Sequence, residues 1–178
     1  MVYEGIIKGK YVSLRSINVE DAEFALALRQ DPVITRYLPR LDITVEQQID
    51  WIKKQRIKEG DYFFLISNIE DKPIGVIGLY DIHGNCGETG RIAVIGNAFE
   101  SIEAQLLCFD FGFDILRLDK TINYVYQDNV SAVRFSQLFG SELVGTCIDK
   151  TGMTRIDGVI TKESFAKSRK RISLMLYR

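Results

Sequence analysis

The residues best placed to do chemistry lie between Glu88 and Gly140. A short apolar strand, Gly90-Arg91-Ile92-Ala93-Val94-Ile95-Gly96, runs through Asn97-Ala98-Phe99-Glu100-Ser101 into a long apolar helix from Ile102 to about Leu116. A second strand, Lys120 to Tyr126, leads to Asp128-Asn129-Val130-Ser131-Ala132, a short helix and Phe139-Gly140. A strand that feeds a helix start offers free backbone groups along the strand and unpaired N–H donors for a phosphate at the helix. That order suits a chain that holds the extended tail of a nucleotide cofactor. The one histidine, His83, falls in a loop at a strand end and reads as an exposed turn residue rather than a base. Cys86, Cys108 and Cys147 lie far apart with no C-x-x-C pair, so no metal is expected. Cys108, inside the apolar helix, reads as a small core residue.

The elements that must position this stretch are legible on both sides of it. Ile6-Ile7 and Tyr11 to Arg15 read as a strand with a turn or bulge at Gly9. Asn18-Val19-Glu20-Asp21 is an Asx cap with an acid three residues on, opening a helix to about Gln30 that Asp31-Pro32 ends. A helical turn is expected over Val33 to Tyr37. Thr44-Val45-Glu46-Gln47 is a capping box for a second helix to about Lys58, with Val45, Ile49 and Ile52 on its apolar face and Gly60 after it. Strands at Tyr62 to Ile66, Ile74 to Tyr80 and Glu88 to Ile95 follow in hairpin succession, which predicts antiparallel pairing. The apolar helix carries acids only at Glu103, Asp110 and Asp114, on one narrow face, so it packs almost enclosed. Strands at Leu143–Asp149 and about Arg155–Ile160, then a basic helix from Thr161 to Ile172, complete the chain. The pattern is α+β with a mixed sheet, in which the crossover through the apolar helix is the one strongly parallel step.

Composition narrows the function. The chain has 178 residues, which favours one domain spanning 1–178, and 46% of them are hydrophobic, enough for a sizeable core. A formal net charge of -1 gives no reason to expect nucleic acid or an anionic membrane as partner. No apolar run approaches the roughly 18 residues of a membrane span, and Met1 to Gly5 lacks the form of a secretion signal. With an odd number of cysteines, these features predict a cytoplasmic location.

Four motifs in order resemble the GNAT superfamily of N-acetyltransferases, in its ribosomal-protein N-acetyltransferase-like branch. They are Leu14-Arg15 with Glu20-Asp21 and Leu28-Arg29-Gln30-Asp31-Pro32; Pro73-Ile74-Gly75-Val76-Ile77-Gly78-Leu79; Glu103-Ala104 through Phe109-Asp110-Phe111-Gly112-Phe113; and Asp128-Asn129-x-x-Ala132 with Phe139-Gly140. They span roughly residues 6 to 165. The resemblance implies a central sheet splayed near Ile92–Ile95 and Lys120–Tyr126, with acetyl-CoA lying in the fork and no metal. It implies direct attack of an amine on the acetyl thioester. Ile92, Ala93 and Val94 would pair with the pantetheine, and Asn97, Ala98, Phe99, Glu100 and Ser101 would hold the pyrophosphate. Asn129 would meet the pantetheine or phosphate edge, with Ala132 and Arg134 towards the adenosine. Glu88 matches a general-base position of some relatives. Ser136 stands where a general-acid tyrosine is common. Arg29, Tyr37, Trp51 and Tyr80 are the acceptor-side candidates.

This chain departs from the family at its phosphate loop, where an inner glycine is replaced by Phe99 and Glu100 lies beside the anion site. Two readings stand. In the preferred one Glu100 points to solvent and leaves the amides free. In the other the helix is capped by its own acid and the site is weakened. The implied activity is acetyl transfer from acetyl-CoA to a primary amine of a small molecule, an amino sugar being one example. The alternatives are a protein N-terminal acetyltransferase and a non-catalytic CoA- or ligand-binding domain. A homodimer is left open.

Overall fold

The computed structural model describes residues 1–38 and 41–178. Among them, eight strands form one sheet. The elements in chain order are β1 (Ile6–Lys8), β2 (Val12–Ser16), α1 (Ala22–Gln30), α2 (Val45–Ile57), β3 (Tyr62–Asn68), β4 (Pro73–His83), β5 (Cys86–Val94), α3 (Ala98–Asp110), β6 (Lys120–Tyr126), α4 (Val130–Leu138), β7 (Glu142–Ile148), β8 (Thr154–Thr161) and α5 (Lys162–Leu176). The strand order is β1-β2-β3-β4-β5-β6-β8-β7. Every neighbouring pair is antiparallel except β5 and β6. The α+β mixed sheet expected from the sequence is therefore the fold. Of the turn or bulge expected at Gly9 the structure has the turn, so that Ile6 to Arg15 forms the hairpin β1–β2, closed by Gly9 N–H donating to the Val12 carbonyl at 2.8 Å.

The sheet divides two apolar layers, as the period of two along a strand requires. Along β3, Phe64 and Ile66 face α3 and α5, whereas Phe63 and Leu65 face α1 and α2. Along β4, Ile77 and Leu79 belong to the first layer and Val76 to the second. Central strands buried on both faces read as continuous apolar runs, which is why Tyr62 to Ile66 carries no alternation. Phe109, Phe113, Phe139 and Phe165 pack ring to ring with centroids 5.0–6.1 Å apart, tying α3, α4 and α5 together. Cys108 is fully buried in this layer, and burial pushes its thiol up to about 12, so it is an unreactive core residue.

The cap residues behave as their chemistry predicts. Thr44 and Gln47 exchange hydrogen bonds of 2.9 and 3.3 Å at the start of α2. Asn18 N–H donates to Asp21 at 2.8 Å, and Asp21 also binds Arg15 through two 2.7 Å bonds. The helix expected from Ile102 in fact begins at Ala98, with Asn97 as its cap, and ends in a π-helical turn over Phe111–Ile115. Of its three acids only Asp114 is exposed. Glu103 is fully buried, and Asp110 binds Arg169 of α5 at 2.7 Å.

Candidate active site

β5 and β6 are paired only over Cys86–Lys120, Gly87–Thr121 and Glu88–Ile122. Beyond that rung they diverge. β4 still pairs with β5 as far as Val94, and β8 with β6 as far as Tyr126. Each strand is thus held on its outer side, and the inner backbone from Thr89 and from Asn123 onward opens on a cleft of about 390 Å³. The expected splay is present. A bulge helps to produce it. Gly78 pairs with Gly90 and Val76 with Ala93, which sets Arg91 and Ile92 against the single residue Ile77. Arg91 takes the left-handed conformation, φ 51°, unusual for a residue with a side chain.

The fork carries a carboxyl–phenol pair. Glu88 stands opposite Tyr80 of β4, and the Tyr80 hydroxyl donates to Glu88 Oε1 in a short hydrogen bond. Gly90 makes this possible, since a Cβ there would meet the Tyr80 oxygen at 2.6 Å. The Arg91 guanidinium lies 3.8 Å from the Tyr80 ring centroid and binds the buried Asp61 at 2.8 Å. Burial raises the Glu88 carboxyl above its ordinary value, against the opposing pull of the Tyr80 hydrogen bond. Burial first, and Glu88 next, push the Tyr80 phenol up, so it stays a donor. A half-desolvated carboxylate next to a cleft is a reasonable proton acceptor.

The remaining sequence-expected residues are divided by the structure. Ile92, Asn129, Ala132 and Ser136 line the cleft, with Tyr37 and Tyr80. Ala93 is instead buried against the α1–α2 layer, Val94 packs towards α3, and Arg134 is exposed outside the cleft. Asn129 caps α4 by accepting from Ala132 N–H at 3.1 Å while still lining the cleft. Ser136 donates to the Val133 carbonyl at 2.9 Å, so its proton points into its own helix and not at a leaving group. Arg29 and Trp51 line a smaller adjoining pocket of about 230 Å³, which Arg91 shares with the cleft.

Two residues escape the sequence reading. Arg91 is signalled only weakly, by its place after a glycine within a strand. Gln105, on the third turn of α3, lines the cleft with 7% exposure, and its Nε2 has no hydrogen-bond partner among the described residues. A buried amide donor left unmade costs about 1–3 kcal/mol, so its side chain is poised for an acceptor atom in the cleft.

The family model described as an acetyltransferase (GNAT) domain matches residues 12–142, most of the chain. The protein belongs to the GNAT family. None of the curated proteins is similar to it in sequence. Among solved structures it is similar to FdhC, described as a nucleotide-linked sugar GNAT, at 22% identity and TM-score 0.85, covering 98% of this chain and 99% of that one. A spermidine N-acetyltransferase from Vibrio cholerae, solved with CoA and spermine, gives 18% identity and TM-score 0.80 over 89% of this chain and 99% of that one. A GNAT from Brucella melitensis gives 19% and 0.81, covering 98% and 86%. At these identities the likeness is one of fold.

Against the GNAT pattern, the helix start overturns the preferred reading of Glu100. Asn97 to Ser101 is not an open loop but a cap and first turn. Glu100 Oε2 accepts from Asn97 N–H at 2.7 Å, and Asn97 Oδ1 accepts from Phe99 and Glu100 N–H at 2.9 and 3.1 Å. Ser101 N–H donates to the Asn97 carbonyl at 3.0 Å. Glu100 does not point to solvent; it folds back over Gly96, where a Cβ would meet its Oε2 at 2.7 Å. Phe99, the residue in the inner glycine position, stacks on Tyr11 with centroids 5.6 Å apart. Of the donors that would bind a phosphate, those of Asn97, Phe99 and Glu100 are engaged by the chain's own side chains and that of Ser101 by a backbone carbonyl.

Proposed function

We propose that this GNAT domain transfers an acetyl group from acetyl-CoA to the primary amine of a small molecule. The observation that carries the reading is the fork: a strand whose inner backbone is unpaired from Thr89 onward, with Glu88 and Tyr80 at its apex. The pantetheine arm would lie along Ile92, over the Gln105 amide and under Ala132 of α4. When bound, acetyl-CoA supplies the activated acetyl group. Glu88 takes the proton of the incoming amine, and Tyr80 holds Glu88 in place. A small acceptor is favoured over a protein N-terminus because the Tyr37 hydroxyl bonds to the Asp128 carbonyl at 3.3 Å, bridging the two sides of the cleft. An extended peptide would have to break that bridge.

The test is calorimetric titration with acetyl-CoA together with an assay of acetyl transfer to amines. Wild-type protein is expected to bind, and Gln105→Leu to bind about threefold to tenfold more weakly, the loss of one hydrogen bond of roughly 0.5–1.5 kcal/mol. The same substitution removes an unpaired buried amide, so the melting temperature should hold or rise. Absence of acetyl-CoA binding by the wild type would leave a fold that has lost this chemistry.

Glu100→Gly should tighten CoA binding, by about twofold to fivefold. An acid at a helix N-terminus contributes roughly 0.3–1 kcal/mol, and a bound pyrophosphate has to compete with it. Glycine also lets backbone approach the phosphate, at a helix-stability cost of about 1 kcal/mol. The comparison is made at low and moderate salt. Weaker binding at both would mean that the folded-back carboxylate shapes the site rather than blocking it.

A further inference from the structure

Arg91 stands where the β5 bulge meets the cleft. Its left-handed φ of 51° is a conformation that its surroundings have to hold. The guanidinium lies between two rings, its carbon 3.8 Å from the Tyr80 centroid and 5.6 Å from that of Trp51. One of its nitrogens donates to both oxygens of Asp61, at 2.8 and 3.1 Å. Asp61 immediately precedes β3, and its side chain is 2% exposed. It is fixed in turn. Gln55 Nε2 of α2 donates to its carbonyl at 2.8 Å and to Oδ1 at 3.2 Å, Lys58 lies 3.4 Å from Oδ2, and the Met1 amino group bonds to the carbonyl. The carbonyl of the preceding Gly60 accepts from Ile82 N–H of β4 at 3.1 Å, so Asp61 is anchored on both α2 and β4. From this anchor one line of contacts runs to the fork: Asp61 to Arg91, Arg91 over the Tyr80 ring, and the Tyr80 hydroxyl to Glu88.

We infer that Asp61, which does not itself line the cleft, is a positioning residue for the proposed reaction: it holds the Arg91 guanidinium against Tyr80 and so sets the orientation and the charge surroundings of Glu88. Where solvent can reach it, a cation over a ring gains only a modest attraction, whereas a charge-assisted bond to a buried carboxylate is stronger and directional. Asp61 rather than Tyr80 therefore decides where Arg91 sits. Glu88 is faced by Tyr80 and Asp81 of β4, Arg91 of its own strand, Tyr124 of β6 and Arg155 of β8. Burial raises its carboxyl, the Tyr80 hydrogen bond lowers it, Asp81 raises it, and Arg91 and Arg155 lower it. The effect of neutralising Asp61 depends on whether Arg91 moves. With Arg91 in place, the cation is less offset and the Glu88 carboxyl falls. With Arg91 released to water, Glu88 loses a nearby cation and its carboxyl rises. A holding role for Asp61 requires the second. That role rests on the acetyl-transfer reading, in which Glu88 is the base, but the titration of Glu88 can be followed without turnover.

The experiment follows the Glu88 side-chain carboxyl by carbon-13 NMR across pH in the full chain, the resonance being assigned by its loss in Glu88→Gln. Wild type is compared with Asp61→Asn, Arg91→Gln and the double variant. Melting temperature, acetyl-CoA affinity and the pH profile of acetyl transfer are recorded for each. Asp61→Asn keeps the shape of the side chain and is expected to raise the Glu88 midpoint and move the acid limb of kcat/KM to higher pH with it. The plateau of kcat/KM should fall about tenfold or more, since a misplacement of ~1 Å can cost roughly a hundredfold. Acetyl-CoA affinity should stay level. Arg91→Gln should raise the midpoint too, and the double variant should titrate like Arg91→Gln alone, because the two residues act through one contact. A merely structural Asp61 would lower the melting temperature and leave the midpoint where it was. That result, a fall in the midpoint, or shifts that add in the double variant would each overturn the inference. So would an Arg91 Nε–H order parameter below about 0.6 in the wild-type protein, a measurement that needs no variant, because a guanidinium that mobile is not held. A midpoint that shifts as expected while Glu88→Gln keeps its full rate would overturn Glu88 as the base and leave the hold of Asp61 on Arg91 standing.

Discussion

Glu103→Ala should lower folding stability by on the order of 3–5 kcal/mol, since it leaves three donors without a partner at roughly 1–2 kcal/mol each. Glu103 is fully buried in α3, yet its carboxylate accepts from the backbone N–H groups of Lys10, Tyr11 and Val12 at 2.9, 2.6 and 2.8 Å. The Tyr177 phenol is raised by burial and then by Glu103. These bonds fasten the β1–β2 turn to the helix, and Gly9 leaves room because a Cβ there would strike the carboxylate. Glu103→Gln keeps the shape but turns an NH₂ group towards N–H donors, so it should recover little of the loss. Urea titration should show a lower midpoint with the slope unchanged, the mark of lost stability without a changed unfolded state. A loss below about 1 kcal/mol would mean that the turn peels away and its amides find water.

That carboxylate also marks where sequence reasoning stops. The spacing of Glu103, Asp110 and Asp114 defines a helix face correctly. What covers the face lies 91 to 93 residues earlier in the chain for Glu103, and 59 later for Asp110. Nothing local encodes those partners. The caps at Asn18 and Thr44 and the β3–β4–β5 meander were legible because their causes are local: a side-chain oxygen near a helix start, and runs of β-formers broken by turns. The start of α3 was legible too, since Asn97-x-x-Glu100 is itself a capping-box spacing. Treating 97–101 as a phosphate loop hides that signal, and a family resemblance then outweighs the residues present. The cleft side of the site follows the same divide. Ile92, Asn129 and Ala132 come from the motif order, whereas Arg91 and Gln105 enter only through a bulge and a helix rotation that three-dimensional packing sets.

Glu88→Gln should reduce kcat/KM for the amine by about a hundredfold or more, the lower end of what a positioned base contributes, with acetyl-CoA affinity little changed. The amine must lose a proton to attack, and the described fork places Glu88 at its apex with Tyr80 fixing its orientation. The pH profile separates base from scaffold. Burial raises the Glu88 carboxyl, so the ionised, active form is lost as pH falls through a value above the roughly 4.3 of a free glutamate. The wild-type rate should therefore drop on the acid side earlier than an exposed carboxylate would make it, and the glutamine variant should lose that limb. Tyr80→Phe gives the sign a second check. The Tyr80 hydrogen bond favours the ionised carboxylate and holds its pKa down. Removing the hydroxyl should move the acid limb to higher pH and leave the rate above it reduced only by looser positioning. If Glu88→Gln keeps both the rate and the limb, the amine is deprotonated without it, and the Glu88–Tyr80 pair serves only to hold β4 against β5 where the sheet divides.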